Sequence, residues 1–347
     1  MNYSIHPQAG THHLKHKEIQ KQKKWPLKSA RPIKISAIVP AYNLEAFIGP
    51  CLESLLSQQS QHSFEVVVCN DGSNDHTGQI IDSLAQRYAN LKVLHNQPNQ
   101  GLANTMRRLL AASTGEYIAY LDGDDLALPG KFEAQANYLD ANPECNMAYT
   151  EMEVFESETG QRLSLYSRDY YNAEFIPAQA SIEHLIRYGC FMQVGSVMIR
   201  RHPKLMETVD DQCKIALDMP WLALNLLYEG GTVEKIDQIL GRYRIHTNSF
   251  GGQNRRSRER RLQVHADQMR VCELAEQHGL DQEIVAAGKR HYQYATALFF
   301  LKAEDVDLFR EHIEQSTDGT WFLHARHQDI YRLKNHPEEL LKKYFSA

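Results

Sequence analysis

From residue 35 the chain alternates short apolar runs with segments of helical periodicity. Ile35–Pro40 is apolar and rich in β-branched residues, which predicts a buried strand. Phe47, Ile48, Cys51, Leu52, Leu55 and Leu56 then recur on one helical face. Phe64–Cys69 predicts a second strand, residues 77–88 a helix, 91–95 a short strand, 102–112 a helix and Tyr117–Leu121 a further strand. This is the spacing of βαβ units, and it predicts an α/β fold with a mostly parallel sheet covered by helices. Such sheets bind ligands beyond the carboxyl ends of their strands. Asn43, Asp71, Asp122 and Asp124 each follow a strand, so they are predicted to converge on one cleft.

The last of these strands stops at Asp122-Gly123-Asp124-Asp125. Asp122 and Asp124 are two residues apart, so in extended chain their side chains point to one side. Like charges so placed raise each other's pKa unless a cation lies between them. Hard oxygen ligands suit Mg²⁺ or Mn²⁺, ions that normally also hold substrate phosphates. The competing reading is a solvated acidic turn ahead of a helix opened by Pro129. Neither a GxGxxG nor a GxxxxGK[ST] pattern follows the first strand, so no glycine-rich cradle is present for phosphate, and a diphosphate would need a metal.

Composition changes this picture little. Hydrophobic residues make up 42% and charged residues 23% of 347, enough to bury a substantial core. A net charge of -5 argues against nucleic acid as a partner. Six scattered cysteines without a CxxC pair read as reduced, buried thiols. No apolar run reaches membrane-spanning length and no hydrophobic signal core opens the chain, so a cytoplasmic protein is expected. Residues 1–34 carry eight Lys/Arg against one acid and read as a basic tail; five arginines lie between 255 and 261. Both could touch anionic lipid at the inner face of a membrane, although a solvated helix face is the default for the arginine run.

Taken in order, Val39-Pro40-Ala41-Tyr42-Asn43, Asn70-Asp71-Gly72-Ser73-Asn74-Asp75, Leu121-Asp122-Gly123-Asp124-Asp125 and Gly241-Arg242-Tyr243-Arg244-Ile245-His246 resemble the family 2 glycosyltransferases. The resemblance runs from about 34 to 250 and implies a GT-A, Rossmann-like fold. It divides the chain into a basic tail (1–33), a transferase domain (34–252) and a helical C-terminal region (253–347), from whose last part no chemistry is read. It implies an inverting transfer from a nucleotide-diphosphate sugar, first of all a UDP-sugar, to a glycan or lipid-linked glycan, as in bacterial capsule or lipopolysaccharide synthesis.

Residue by residue, Pro40, Ala41 and Asn43 would line the nucleotide pocket and Asp71 would meet the base or ribose. Asp122 and Gly123 would lie beside ribose and metal. Asp124 would ligate Mn²⁺ or Mg²⁺, with His246 near the diphosphate or its metal. Asp218 falls where the family keeps its catalytic base; it also stands where a helix N-cap would, ahead of Pro220 and an apolar helical run. Three positions depart from the pattern: Asn70 replaces a frequent aspartate, Leu217 a frequent acid, and Arg107 a common asparagine. Arg107 would either reach a phosphate or sugar or be solvated. Tyr166, Tyr170 and Tyr171 read as sugar-stacking residues or as core, and 191–201 as a strand facing the acceptor. A nucleotide-sugar-binding protein without activity is the alternative, ahead of a sugar-nucleotide pyrophosphorylase.

Overall fold

The computed structural model describes residues 32–247, 249 and 257–345. The tail reading (1–33) therefore lies almost wholly outside the described residues, as does the point chosen for the 252/253 boundary.

Strand β1 (Ile35–Ala41) is buried along its whole length. It pairs in parallel with β2 (Phe64–Asn70) on one side and β4 (Tyr117–Tyr120) on the other, and β3 (Leu91–His95) extends the sheet beyond β2. Alternate strand residues serve two cores. Ile38, Val67, Ile118 and Tyr120 face α3 (Leu102–Ala112) through Met106, Leu109 and Leu110. Ala37, Val39, Val66, Val68 and Ala119 face the side covered by α1 (Ile48–Leu56) and α2 (Thr77–Arg87). A sheet covered on both faces needs strands that are apolar throughout, which is why these runs show no polar alternation.

Pro40 sits inside a central strand, where a missing N–H would ordinarily break the ladder. Pairing with β4 ends at Ile38↔Tyr120, and Leu121 N donates the last bond to Ile38 O. Residue 40 faces that same side, one step beyond the end of the ladder, so the proline removes no bond. The chain of β4 instead turns across the end of β1 at Gly123. A Cβ there would lie 2.8 Å from Leu44 Cδ1 and 2.9 Å from Pro40 O, so only glycine lets the two backbones approach this closely.

The second half of the sheet was not legible in the sequence. Its order is β3-β2-β1-β4-β9-β6-β10-β5, with β7 (Arg162–Leu165) on β6 and β8 (Gln179–Ala180) on β10. Strand β9 (Val197–Arg200) runs antiparallel to both β4 and β6 (Cys145–Glu156). Two reversals restore the direction, so β6 and its parallel neighbour β10 (Thr232–Ile245) run the same way as β4. The carboxyl end of β10 therefore arrives beside those of β1, β2 and β4. Helix α6 (Asp218–Glu229) precedes β10 and runs the opposite way, which brings its first residue to the same edge. The remaining strand and helices ahead of the C-terminal region are β5 (Leu126–Ala127), α4 (Lys131–Ala141) and α5 (Ile182–Tyr188).

Helices α7 (Arg258–Gln277), α8 (Gln282–Lys302), α9 (Val306–Gln315), α10 (Ala325–Arg332) and α11 (Pro337–Tyr344) complete the described chain. Val271 and Cys272 of α7 and Ile284, Val285 and Tyr292 of α8 join the same core as Trp221 and Leu222 of α6. The other face of α8 nucleates a separate core with α9–α11 around Phe300, Phe309 and Ile330. The described arginines of the 255–261 run do not form a plain solvated face. Arg261 meets Thr296 and lies over the Phe299 ring, and Arg258 pairs with Asp305. All six cysteines are free thiols. No described helix is long and apolar enough to cross a membrane.

Candidate active site

The cleft opens where these strand ends meet α6. Leu102 and Met106 of α3 form one wall. Tyr120 comes from β4 and Asp122 and Asp124 from the turn after it, Gln193 and Val194 from the turn before β9, Asp218 and Trp221 from α6, and Tyr243 from β10; Tyr166 closes another side.

Each acid of the Asp122–Asp125 turn has its own environment. Asp125 is fully buried and structural: it accepts Arg244 N at 2.8 Å, tying the turn to β10. Burial, then the charges of Asp124 and Asp122, push its pKa well up. Asp122 accepts the Tyr120 hydroxyl at 2.6 Å. Burial and then the charge of Asp124 raise its pKa to about 7. Asp124 Oδ2 lies 3.0 Å from His246 Nε2, both groups partly open to the cleft. His246 is braced by the Phe47 ring, centroids 4.6 Å apart.

Arg244 is the cation nearest this cluster, and it is engaged structurally. Its Nε donates to Asp124 O at 2.7 Å and its guanidinium lies over Phe47 and Phe155. The cleft therefore holds more negative charge than its own side chains balance, so a diphosphate would be repelled unless a cation came with it. The residues present fit a divalent ion. A carboxylate and an imidazole sit at ligand spacing, open to the cleft, while no third described carboxylate, histidine or cysteine completes the set there. The missing positions are those that phosphates and water fill around Mn²⁺ or Mg²⁺.

Asp218 is the first residue of α6, and the N-cap is Leu217, without a side-chain bond. The capping alternative is thus replaced by a carboxylate one position further on, aimed into the cleft. Among the described residues it takes no side-chain partner; the amides of Met219 and Asp218 itself lie against it. Burial outweighs those amides and raises its pKa.

The remaining predicted residues lie around the edge of this centre. Pro40 and Ala41 are buried in β1 and are not among the residues that line the cleft. Asn43 has φ 54°, a left-handed conformation that asparagine tolerates. Its Oδ1 accepts Asn74 N at 2.8 Å and its own N donates to Ser73 Oγ at 3.0 Å, which locks the loops after β1 and β2 together. Asp71 is buried and accepts from Asn96 Nδ2 (2.6 Å), Gln100 N (2.9 Å) and Gly101 N (3.0 Å). It is a clamp on the loop leading to α3. Arg107 is neither in the cleft nor simply solvated: it donates to Val209 O at 2.9 Å and pairs with Asp211.

Of the three tyrosines, Tyr166 lines the cleft, edge-on to Tyr243. Tyr170 bonds Tyr188 O and Tyr171 bonds His291 of α8, so both belong to the seam with the C-terminal helices. Within 191–201 a 3₁₀ turn precedes a strand of only four residues. Its cleft residue, Gln193, hydrogen-bonds toward the acids, and no sequence signal marked it.

This arrangement defines a GT-A fold with an acid-rich cleft at the carboxyl edge of its sheet. Residues 36–207 match the family model described as Glycosyl transferase family 2, and this segment of the chain belongs to that family. EpsE and EpsJ of Bacillus subtilis (strain 168), both named as glycosyltransferases, are 36% and 40% identical to it over 124 and 111 residues. Those matches cover 35% and 30% of this chain and 44% and 32% of the relatives, so the chain spans less than half the length of either. Among solved structures, TarS 1-349 of S. aureus in complex with UDP-GlcNAc superposes with a TM-score of 0.59 at 16% identity, over 88% of both chains. The mannosyltransferase PcManGT from Pyrobaculum calidifontis, in complex with GDP-Man and Mn²⁺, gives 0.57 at 15% identity, over 94% of this chain and 92% of that one. At such identities the likeness is one of fold.

Proposed function

We propose that the protein transfers a sugar from a nucleotide-diphosphate sugar, a UDP-sugar in the first instance, to a hydroxyl of a glycan or lipid-linked glycan, with inversion and with Mn²⁺ or Mg²⁺. One observation carries this reading: Asp124, paired with His246, and the carboxylate of Asp218, which has no side-chain partner among the described residues, line the same cleft. Asp124 and His246 would hold the metal, which would supply Lewis acidity toward the departing nucleoside diphosphate. Tyr120 fixes the Asp122 carboxylate from behind, leaving its second oxygen toward the donor. Asp218 takes the proton of the acceptor hydroxyl as that oxygen attacks the anomeric carbon from the face opposite the leaving group. A raised pKa makes it a stronger base than an exposed aspartate. Met106, Tyr166, Trp221 and Tyr243 wall the space and keep competing water out.

Thermal-shift measurements with UDP-glucose, UDP-GlcNAc and GDP-mannose, each with and without Mn²⁺, test the donor end: a shift that needs both nucleotide sugar and metal is expected. Asp218→Asn tests the base. It should bind the same donor normally while turnover falls by about 10²–10⁴; turnover near the wild-type rate would overturn the assignment.

A further inference from the structure

The segment that delivers Asp218 to the cleft has almost no structure of its own. Between Val209 and Leu217 it forms no regular element, and among the described residues no backbone carbonyl accepts the amides of 210–216. Side chains do so instead. Gln212 N donates to Asp210 Oδ1 at 2.8 Å. The amides of Lys214, Ile215 and Ala216 converge on one carboxylate, that of Asp267 in α7. Lys214 N reaches Oδ1 at 3.1 Å, while Ile215 N and Ala216 N reach Oδ2 at 2.7 and 2.8 Å.

Asp267 is 2% exposed, and Gln263, one turn earlier on α7, fixes its Oδ1 from the other side at 2.9 Å. A buried carboxylate is costly unless charge-assisted bonds surround it, and successive amides turned toward one anion provide such a setting. Arg270, also on α7, holds Asp210 at 2.9 Å with both side chains largely buried. Arg107 holds Val209 O from the opposite side. Ile215 and Leu217 then face the cleft, and Asp218 follows as the first residue of α6.

We propose that Asp267 is a positioning residue for the transfer reaction: from the C-terminal helical region it fixes Lys214–Ala216, and through them the direction in which the Asp218 carboxylate points. The inference rests on the reading of Asp218 as the base. It gives the first C-terminal helix a part in the chemistry, because without α7 the approach to α6 would lack partners for its amides. The nucleotide end of the cleft is built from β1, β2, β4 and β10, and Asp267 touches none of it. Its loss should therefore act on turnover and leave donor binding alone.

Asp267→Asn keeps the size but sets an amide donor against backbone donors. With Mn²⁺ and the sugar nucleotide that shifts the midpoint, release of nucleoside diphosphate should fall at least about 10-fold in kcat while KM for the donor changes by less than about 3-fold. The double variant Asp218→Asn/Asp267→Asn should be no slower than Asp218→Asn alone, because a positioning residue has nothing left to position. A role confined to stability would lower the melting midpoint and leave this kcat and its non-additivity unmoved.

Hydrogen exchange needs no donor: the amides of 212–218 should exchange at least about 10-fold faster in Asp267→Asn, with those of β1 and β2 unchanged. Should Asp267→Asn fail to fold, Gln263→Leu removes only the bond that orients the carboxylate and should show the same pattern at smaller amplitude. Unchanged exchange at 212–218, or kcat within 2-fold of wild type alongside a slow Asp218→Asn, would overturn the proposal. If Asp218→Asn itself turned over normally, the assignment of the base would fall instead.

Discussion

Lys131 is the residue whose chemistry sits worst with its surroundings. It is fully buried at the start of α4, its ammonium has no hydrogen-bond partner among the described residues, and burial alone lowers its pKa to about 7. The sign follows from linkage. The unfolded lysine takes its proton near 10.5 and the folded one near 7, so stability falls as pH drops through that interval and levels off below it. Lys131→Met keeps the volume and removes the penalty. It should raise stability at pH 7 by roughly 1–4 kcal/mol and leave it unchanged near pH 11, as read from urea midpoints. Asp124 is the converse case, a charge that the fold tolerates because its site is open. Asp124→Asn keeps the backbone bond to Arg244, so its melting midpoint should stay near wild type while the Mn²⁺-dependent shift with a nucleotide sugar disappears. Spacing alone placed Asp122 and Asp124 together. It could not separate them from Asp125, because whether a carboxylate faces the cleft or the underside of β10 is decided by Arg244, 119 positions away.

At the scale of elements, what was legible was what is local. Strands β1 to β4 and the helices between them are continuous apolar or periodic runs, and each packs on its sequence neighbour. Strand β9 lies within the 191–201 run read as a strand, but it is only four residues long and its partners are β4 and β6, so no local pattern gives its bounds or its direction. The arrival of Tyr243–His246 at the cleft depends on that strand, and the sequence could place this segment only by resemblance. Contact between the end of β1 and the turn after β4 is just as tight and equally silent in the sequence. Gly123→Ala would force its methyl into Leu44 and Pro40 O. Overpacking of this kind costs about 1–3 kcal/mol. The turn would have to move away from β1, carrying Asp122 and Asp124 with it. A lower melting midpoint together with weakened Mn²⁺-dependent donor binding is the expected pair of results; a loss of stability with normal donor binding would mean the turn shifts without disturbing the acids.

For the whole molecule, the C-terminal helices and their seam with the α/β domain carry buried histidines that respond to acid. Three histidines along α7, α8 and α10 are held neutral. His291 is buried on α8, where its Nε2 meets Tyr171 and Asn172 of the α/β domain; burial lowers its pKa to about 3. His327 is buried in the terminal core, its Nδ1 accepting Leu323 N and its Nε2 paired with Ser316; burial brings it to about 4. His265 on α7 bonds Thr296 of α8, and burial likewise lowers it to about 4. A base with a depressed folded pKa contributes no penalty above its unfolded value of 6.5. The unfolded state then binds the proton first, so stability is lost as pH falls from 6.5 toward 4. At pH 5.5 each buried ring would cost about 1 kcal/mol, and three together would take a sizeable part of a typical 5–15 kcal/mol. Asp122 and Asp125, whose raised carboxylates take protons first in the folded state, gain stability over the same interval and offset this loss, so the histidine share is read from the difference between wild type and a variant. His327→Gln loses the ring that must stay neutral, so it should be less stable than wild type at pH 7.5, and that deficit in urea midpoint should shrink at pH 5.5. Because α7 and α8 share their core with α6, the transition should remain a single one when followed by tryptophan fluorescence in a Trp25→Phe/Trp321→Phe variant, which reports Trp221, and by far-UV dichroism. Two separated transitions would show instead that the helices unfold on their own, and with them the support that Asp267 gives to the segment before Asp218.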